Sequence, residues 1–213
     1  MYDLPQYKEN DEQKIDEFIA RYPLAYLSGC DAENRPIATQ IPLFLEELNG
    51  RKVFRGHIMK NTDHHRAFLH NPQVLIVFSG PNTYVSGTWY SQPYTPSTWN
   101  YMSVYIKGLI HFIDDAQLIE ILRSTTLHFE NNNYHSTTIY DNLPTEYTQK
   151  LMQAIAGFEI EILKLDTVFK LSQNRDEQSY DHIITQLKQK DENAQRIAAA
   201  MEQRRKNLFG GEK

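Results

Sequence analysis

Short runs of strand-forming residues, separated by turn residues, fill the first half of this chain, and this feature constrains its fold more than any other. Asn49-Gly50 separates two such runs, and Asn-Gly between apolar runs is a strong signal for a tight hairpin turn. No strand–helix–strand periodicity interrupts the pattern, which favours an antiparallel barrel over a parallel sheet. Six strands are predicted in this half, with the first three forming a meander, at residues 24–29, 37–46, 52–58, 74–78, 83–86 and 99–113.

Helices are predicted around these strands from capping residues and from apolar residues at helical spacing. Caps are expected at residues 10–12, Thr62, Asp114 and Pro144, the last of these opening a helix that Gly157 closes. Residues 158–162 (FEIEI) then alternate as a half-buried antiparallel strand does, and two more helices follow Asp176. The sequence therefore predicts a mainly β (α+β) fold: a six-stranded antiparallel barrel at about residues 23–165 with peripheral helices. Its domains are residues 1–175 and a helical extension at 176–213.

Composition and charge exclude several classes of function. The chain has 213 residues with a net charge of -5, so it lacks the basic surplus that supports phosphate-backbone binding, and nucleic acid is not its expected partner. A single cysteine, Cys30, cannot form an intrachain disulfide, and no signal-peptide pattern opens the sequence. The longest apolar runs, such as residues 74–78, are too short to span a bilayer. We expect a cytoplasmic protein with no membrane helix.

The first candidate site lies at residues 55–66 (RGHIMKNTDHHR), where a predicted strand ends just before a helix. His57, Lys60 and Asn61 there combine a cation and neutral donors with the free backbone N–H groups of a helix N-terminus, which is how phosphate sites are commonly built. A solvated strand end would show the same spacing. A metal site is not expected, because the adjacent His64 and His65 point to different faces of a helix.

Three further clusters carry polar and aromatic side chains. Ser79 and Ser86 lie in a Gly-Pro-containing segment that is also typical of an ordinary turn, and Trp99, Asn100 and Tyr101 could hold a planar ligand or fill a core. Residues 169–174 (FKLSQN) are by themselves a strand running into a helix cap. No nucleophile–base motif, phosphate-loop glycine pattern or Cys-x-x-Cys occurs, so no catalytic side chain is predicted.

Taken in order, five segments resemble the PaiB-type FMN-binding proteins, often labelled negative transcriptional regulators: GHIMKNTDHHRAF, FSGPNTYVSGTWY, PSTWNYMSVYIKG, GFEIEI and FKLSQNR. The resemblance runs from about residue 1 to about residue 187. It implies the flavin-binding split barrel of the pyridoxamine-phosphate-oxidase class, and a homodimer with two FMN sites at the subunit interface. The residues that it places around FMN are His57 and Lys60 on the phosphate side with Asn61 and Thr62 near them, Ser79, Gly80, Ser86 and Trp89 along the flavin, Trp99 and Asn100 from the long strand, and Lys170, Ser172 and Gln173 near the dimer contact.

Lys60 stands where many relatives have Arg, which keeps the charge but gives up bidentate phosphate geometry. The resemblance leaves two functional classes open. One is a regulator that senses flavin or a ligand, and the other is a flavin-dependent oxidoreductase acting on a small molecule with a reduced nicotinamide as donor. Direct DNA binding has little support, because residues 204–206 are the only basic cluster and such a run is usually a solvated helix face. Haem binding, which occurs in relatives of this barrel, would need His57 or His111 aimed into the pocket.

Overall fold

The chain folds around one seven-stranded sheet with six helices of eight residues or more along the described chain. The structure is a computed structural model and describes residues 4–210. Its strands are β1 Leu24–Cys30, β2 Pro36–Pro42, β3 Phe44–Leu48, β4 Arg51–Met59, β5 Gln73–Val85, β6 Thr98–Phe112 and β7 Ile155–Lys170. Its helices are α1 Glu12–Arg21, α2 Asp63–His70, α3 Asp115–Phe129, α4 Thr145–Ala154, α5 Glu177–Leu187 and α6 Glu192–Phe209. Short 3-10 turns occupy Pro5–Tyr7, Gly87–Trp89 and Tyr140–Asn142.

The strand order is β2-β1-β5-β6-β7-β4-β3, which makes the predicted three-strand meander wrong. β1 pairs antiparallel with β2 and β5, whereas β3 pairs antiparallel with β4, and β4 with β7. The predicted strand at 37–46 is two strands that lie at opposite ends of this order. Leu43 separates them, and it is 1% exposed. A buried leucine after a proline resembles the continuation of a strand in sequence, but here it marks the passage from one sheet edge to the other.

The predicted break between two strands at residues 79–82 is also wrong. It offsets the split at Leu43 in the strand count, so the seventh strand of the sheet is β7. The Ser-Gly-Pro-Asn sequence is typical of a turn, yet β5 runs unbroken from Gln73 to Val85. Its exposed positions alternate through Ser79 and then change phase, so that Pro81 is buried. A phase change of this kind is what a β-bulge produces, and a bulge is one of the few places where a strand accepts proline.

Strand β7 is also longer than the sequence pattern predicts. The sequence predicts a helix closed by Gly157, but α4 ends at Ala154 and Gly157 pairs with His57 inside the sheet. A Cβ on Gly157 would lie 3.0 Å from the Ile113 side chain and 3.1 Å from that of Leu118. The glycine is therefore needed for close packing on a strand, a role that sequence alone does not separate from helix termination.

The predicted helix starts are confirmed. Thr62, Asp114 and Asp176 each accept a hydrogen bond from a backbone N–H of the first turn of α2, α3 and α5, respectively. Asp11 likewise accepts from the N–H groups of Gln13 and Lys14 at the start of α1. Each such cap stabilises its helix by about 1 kcal/mol.

The chain divides into two compact units. Unit 1 comprises residues 1–18, 79–104 and 166–213, and unit 2 comprises residues 19–78 and 105–165. The core of unit 2 is aromatic and aliphatic, with Phe54, Phe78 and Phe158 fully buried. In unit 1 the fully buried Tyr180 of α5 donates its hydroxyl to the Met201 carbonyl of α6. Among the described residues, no helix is long and apolar enough to cross a membrane.

Candidate functional site

The residues expected around a flavin fall into two groups, one in each unit. The phosphate-side group is His57, Lys60, Asn61 and Thr62 in unit 2. The flavin-side group belongs to unit 1 and consists of Ser79, Gly80, Ser86, Trp89, Trp99, Asn100, Lys170, Ser172 and Gln173.

In the phosphate-side group, the end of β4 presents a lysine with no carboxylate partner in the described part of the chain. The Lys60 ammonium donates a long 3.3 Å hydrogen bond to the Met152 carbonyl of α4. Earlier on β4, opposite Gly157, His57 is half-buried, and burial lowers the pKa of its imidazole below the ordinary value. Burial therefore favours the neutral form of His57.

Asn61 and Thr62 form the turn into α2 and have different roles. Asn61 has a φ of 65°, in the left-handed region that asparagine tolerates, and its exposed amide is an available donor. The Thr62 hydroxyl donates to the Met59 carbonyl at 2.9 Å and accepts from the His65 N–H at 3.3 Å. Because its single proton is already used, Thr62 builds the helix cap and does not offer a hydroxyl donor to a ligand. Asp63 in the first turn offsets part of the positive helix end.

In the flavin-side group, Asn100 and Ser172 form a buried pair. Asn100 is 0% exposed, and its Oδ1 accepts from the Ser172 hydroxyl at 3.0 Å while its Nδ2 lies 3.6 Å from Met201 Sδ. Ser172 is 3% exposed and has a φ of 62°, which the surrounding contacts hold in place. These two side chains connect β6, the end of β7 and α6, so their visible role is structural.

Lys170 and Gln173 also bond within unit 1. The Lys170 ammonium donates to the Trp99 carbonyl at 2.5 Å and to the Thr98 hydroxyl. Burial, and then the nearby Arg175 charge, lower the pKa of this lysine. The Gln173 side chain caps the backbone at the end of β7. Its Oε1 accepts from the Leu171 N–H at 2.7 Å, and its Nε2 donates to the Phe169 carbonyl at 2.5 Å.

Ser86 and Trp89 lie at the start of the loop that joins β5 to β6. The Ser86 hydroxyl caps the Gly87–Trp89 turn by accepting from the Thr88 N–H. Trp89 has the Lys190 ammonium 5.0 Å from its ring centroid, and its carbonyl lies 3.0 Å from His182 Nδ1 of α5. This loop is therefore fixed against the C-terminal helices.

The remaining members of the group are more accessible. Ser79 is exposed and Gly80 half-buried at the phase change of β5. Trp99 is 55% exposed and contacts the ring of Tyr84 edge-on, with centroids 6.1 Å apart. An exposed tryptophan beside an exposed tyrosine provides aromatic surface for a planar ligand or for another protein surface.

The sequence reasoning missed a set of contacts between this loop and α5. The Ser91 N–H donates to the Ser179 hydroxyl at 2.8 Å, and the Ser91 hydroxyl donates to Asp176 at 3.0 Å. Arg175 lies over the Tyr90 ring, 4.1 Å from its centroid. Asp176 and Ser179 have the spacing of a helix cap, which can be read from the sequence, but Ser91 and Asp176 are 85 residues apart and carry no local signal of their contact.

Comparison with known proteins is consistent with this geometry. Residues 1–164 match the model of a family described as "Putative FMN-binding domain". The chain is 29% identical over 209 residues to protease synthase and sporulation protein PAI 2 of Bacillus subtilis (strain 168), covering 97% of this chain and 99% of that protein.

Solved structures show the same fold at low sequence identity. A protein from Mycobacterium smegmatis described as binding FAD and haem superimposes with a TM-score of 0.56 at 15% identity, covering 77% of this chain and 73% of that one. The flavocytochrome Anf3 from Azotobacter vinelandii gives a TM-score of 0.54 at 16% identity, covering 85% and 78%. The family match, the full-length relative and the seven-stranded sheet lead to one conclusion: the chain belongs to the PaiB-type FMN-binding family, with the flavin split-barrel fold.

Proposed function

We propose that this protein holds FMN as its resident flavin, with the phosphate bound by the Lys60 ammonium and the Asn61 amide at the end of β4. The observation that carries this proposal is the uncompensated charge of Lys60. Its ammonium has only a long bond to a carbonyl, it has no carboxylate partner among the described residues, and it precedes the N-terminus of α2. A phosphate there would gain a charge-assisted hydrogen bond from Lys60 and the part of the positive helix end that Asp63 leaves uncompensated.

The residues of unit 1 fit a flavin site in two ways: some offer a surface that a flavin can contact, and others support the strand ends. Trp99 and Trp89 offer aromatic surface, and Ser79 offers an exposed hydroxyl. Asn100, Ser172 and Gln173 support the strand ends around them, because their polar atoms bond within the unit. When bound, FMN supplies the redox chemistry, and the protein contributes orientation and hydrogen bonds.

We further propose a homodimer in which each flavin is held by both chains. Trp99 and Tyr84 are 55% and 43% exposed, and aromatic side chains of this kind are enriched at protein interfaces. A chain of 25.0 kDa should then scatter light as a particle of roughly 50 kDa. A mass of one chain at micromolar concentration, with FMN present, would contradict the dimer.

For the regulator class, two modes of action can be compared. A flavin sensor that acts through a partner has more support than a protein that binds DNA directly. Arg204 pairs with Glu9, and Arg205 pairs with Asp181 at 2.6 Å and with Glu177 at 2.8 Å. Two of the three charges in the basic cluster are thus compensated within unit 1. Compensated cations release fewer counterions from DNA and contribute less to binding it.

The experiment that tests the cofactor proposal is titration of flavin-free protein with FMN and with riboflavin, which lacks the phosphate. A hydrogen bond to a charged group contributes about 1.5–3 kcal/mol, so Lys60→Ala should weaken FMN by roughly 10- to 150-fold. Riboflavin binding should hardly change. Lys150→Ala is the matched control, since it removes an exposed lysine of the same unit that pairs with Glu146.

Equal losses for the two ligands in a folded Lys60→Ala variant would remove this lysine from the site. The same protein, once loaded with FMN, separates the two functional classes. Bleaching of the yellow protein by a reduced nicotinamide, with turnover, supports the oxidoreductase. A stable flavin with capture of a regulator supports the sensor.

A further inference from the structure

Arg175 is oriented by an aromatic ring and not by a carboxylate. Its guanidinium carbon lies 4.1 Å from the Tyr90 ring centroid, within the range of a cation–π contact. A cation–π contact leaves the N–H groups of a guanidinium able to donate, and its N–H edge matches the two oxygens of a carboxylate or phosphate.

The acidic residues next to Arg175 in the chain are engaged with other partners. Asp176 accepts hydrogen bonds from the Ser91 and Ser179 hydroxyls, at 3.0 and 2.7 Å. Glu177 accepts from Arg205 at 2.8 Å. Within residues 4–210, no carboxylate forms an ion pair with Arg175.

A second cation of the same unit acts on the first through its charge. Lys170 is only 8% exposed, and the Arg175 charge contributes to lowering the pKa of its ammonium. Two nearby cations on the same unit repel one another, and an anion placed between or beside them would relieve that repulsion.

The Tyr90 hydroxyl supplies an independent observation. It is a buried atom with no hydrogen-bond partner among the described residues. A buried hydroxyl left without a partner is costly, and such groups are uncommon unless they serve a ligand or a water.

We propose that Arg175, Tyr90 and Lys170 form an anion site on unit 1 that takes the carboxylate or phosphate group of a small molecule. Its residues belong to unit 1, whereas the phosphate-side group at Lys60 belongs to unit 2, and the proposal does not depend on FMN being the cofactor. Arg175 binds the anion along its N–H edge, Tyr90 donates its hydroxyl, and Lys170 adds positive potential.

The test is a titration of the flavin-free, full-length protein with inorganic phosphate and, separately, with acetate, followed by the NMR shift of the Arg175 side-chain Nε–H. The two probes distinguish a phosphate group from a carboxylate as the preferred anion. We expect saturable binding of at least one of them. Affinity, measured by calorimetry in the variants, should fall at least tenfold in Arg175→Gln and several-fold in Tyr90→Phe, with Arg175→Lys between wild type and Arg175→Gln.

Arg51→Gln is the control, because it removes an exposed arginine of β4, which belongs to the other unit. Non-saturable shifts, or equal losses in Arg175→Gln and Arg51→Gln, would overturn the proposal. A third outcome would also overturn it: FMN displaces phosphate from this site, and Lys60→Ala leaves that displacement unchanged. Arg175 would then hold the phosphate of FMN. Failure of FMN to bind at all, with anion binding intact, would contradict only the cofactor assignment.

Discussion

Replacing Asn100 and Ser172, singly and together, tests whether these residues support the fold or contact the flavin directly. The Ser172 hydroxyl donates to Asn100 Oδ1 at 3.0 Å, and both residues are at most 3% exposed. Asn100→Ala leaves the serine hydroxyl without its acceptor, and Ser172→Ala leaves the amide oxygen without its donor. Each change should cost about 1–3 kcal/mol, the penalty for a buried polar group that loses its partner.

The double variant removes both members of the pair, so neither is left unsatisfied. Its loss of stability should therefore be smaller than the sum of the two single losses by about 1–3 kcal/mol. The backbone strain at Ser172, whose φ is 62°, is the same in the serine and alanine forms and cancels in the comparison. Ser172→Gly is a useful additional variant, because it removes the hydroxyl and relieves the strain at the same time.

The assay is urea unfolding of the flavin-free protein, which excludes any contribution of cofactor binding to the measured stability. A coupling energy within about 0.5 kcal/mol of zero would refute the structural role of this pair. In that case, a loss of FMN affinity in either single variant, with unchanged stability of the flavin-free protein, would assign the residues to the ligand. The same cycle thus decides between the two roles.

Two further predictions concern His57 and Gly87. Burial lowers the pKa of His57 below its ordinary value of 6.5, so below that pH the unfolded chain binds more protons than the folded protein does. The free energy of unfolding should therefore fall as the pH drops below 6.5. In urea unfolding, His57→Gln should reduce this fall. An unchanged pH dependence in the variant would assign it to other groups, of which His65, with its pKa also lowered by burial, is the first to test. A Cβ on Gly87 would lie 2.1 Å from the Thr95 carbonyl oxygen. Gly87→Ala should therefore displace the loop carrying Trp89 and lower the free energy of unfolding by about 1–3 kcal/mol or more. A variant with wild-type stability would show that the loop relaxes freely.

The parts of the fold that local chemistry determines could be predicted from the sequence. The caps at Thr62 and Asp114 and the strand predicted at residues 99–113 follow from short-range patterns. The structure has both caps and has the strand at Thr98–Phe112. The passage from β2 to β3 at Leu43 and the phase change of β5 at Ser79–Pro81 could not, because each depends on which strands pair across the sheet. Proline and glycine carry the same local meaning in a turn, a bulge and a strand end, and only long-range pairing separates these cases.

The candidate site divides in the same way. The Lys60 cluster is a contiguous segment at a strand-to-helix junction, so the spacing of its residues is enough to indicate a phosphate site. Asn100 and Ser172 are expected to line the flavin, and whether they touch it stays a prediction. Their mutual hydrogen bond joins residues 72 positions apart, which no local pattern reveals. Arg175 and Tyr90 were missed for the same reason.

The family match and the folding unit do not have the same boundaries. The match ends at residue 164, yet Asn100 within it is buried against Ser172 and Met201 beyond it. Helix α6 buries Ala194, Ile197, Ala198 and Met201 completely, and removal of these apolar side chains would expose the remainder of unit 1 to water. Removal of α5 would in addition break the hydrogen bonds that Ser179 and His182 form with the loop carrying Trp89. The C-terminal helices are therefore part of the structure that shapes the proposed flavin site. A partner that binds these helices with different affinity in the flavin-bound and flavin-free protein would alter flavin affinity, with the reciprocal effect that linkage requires.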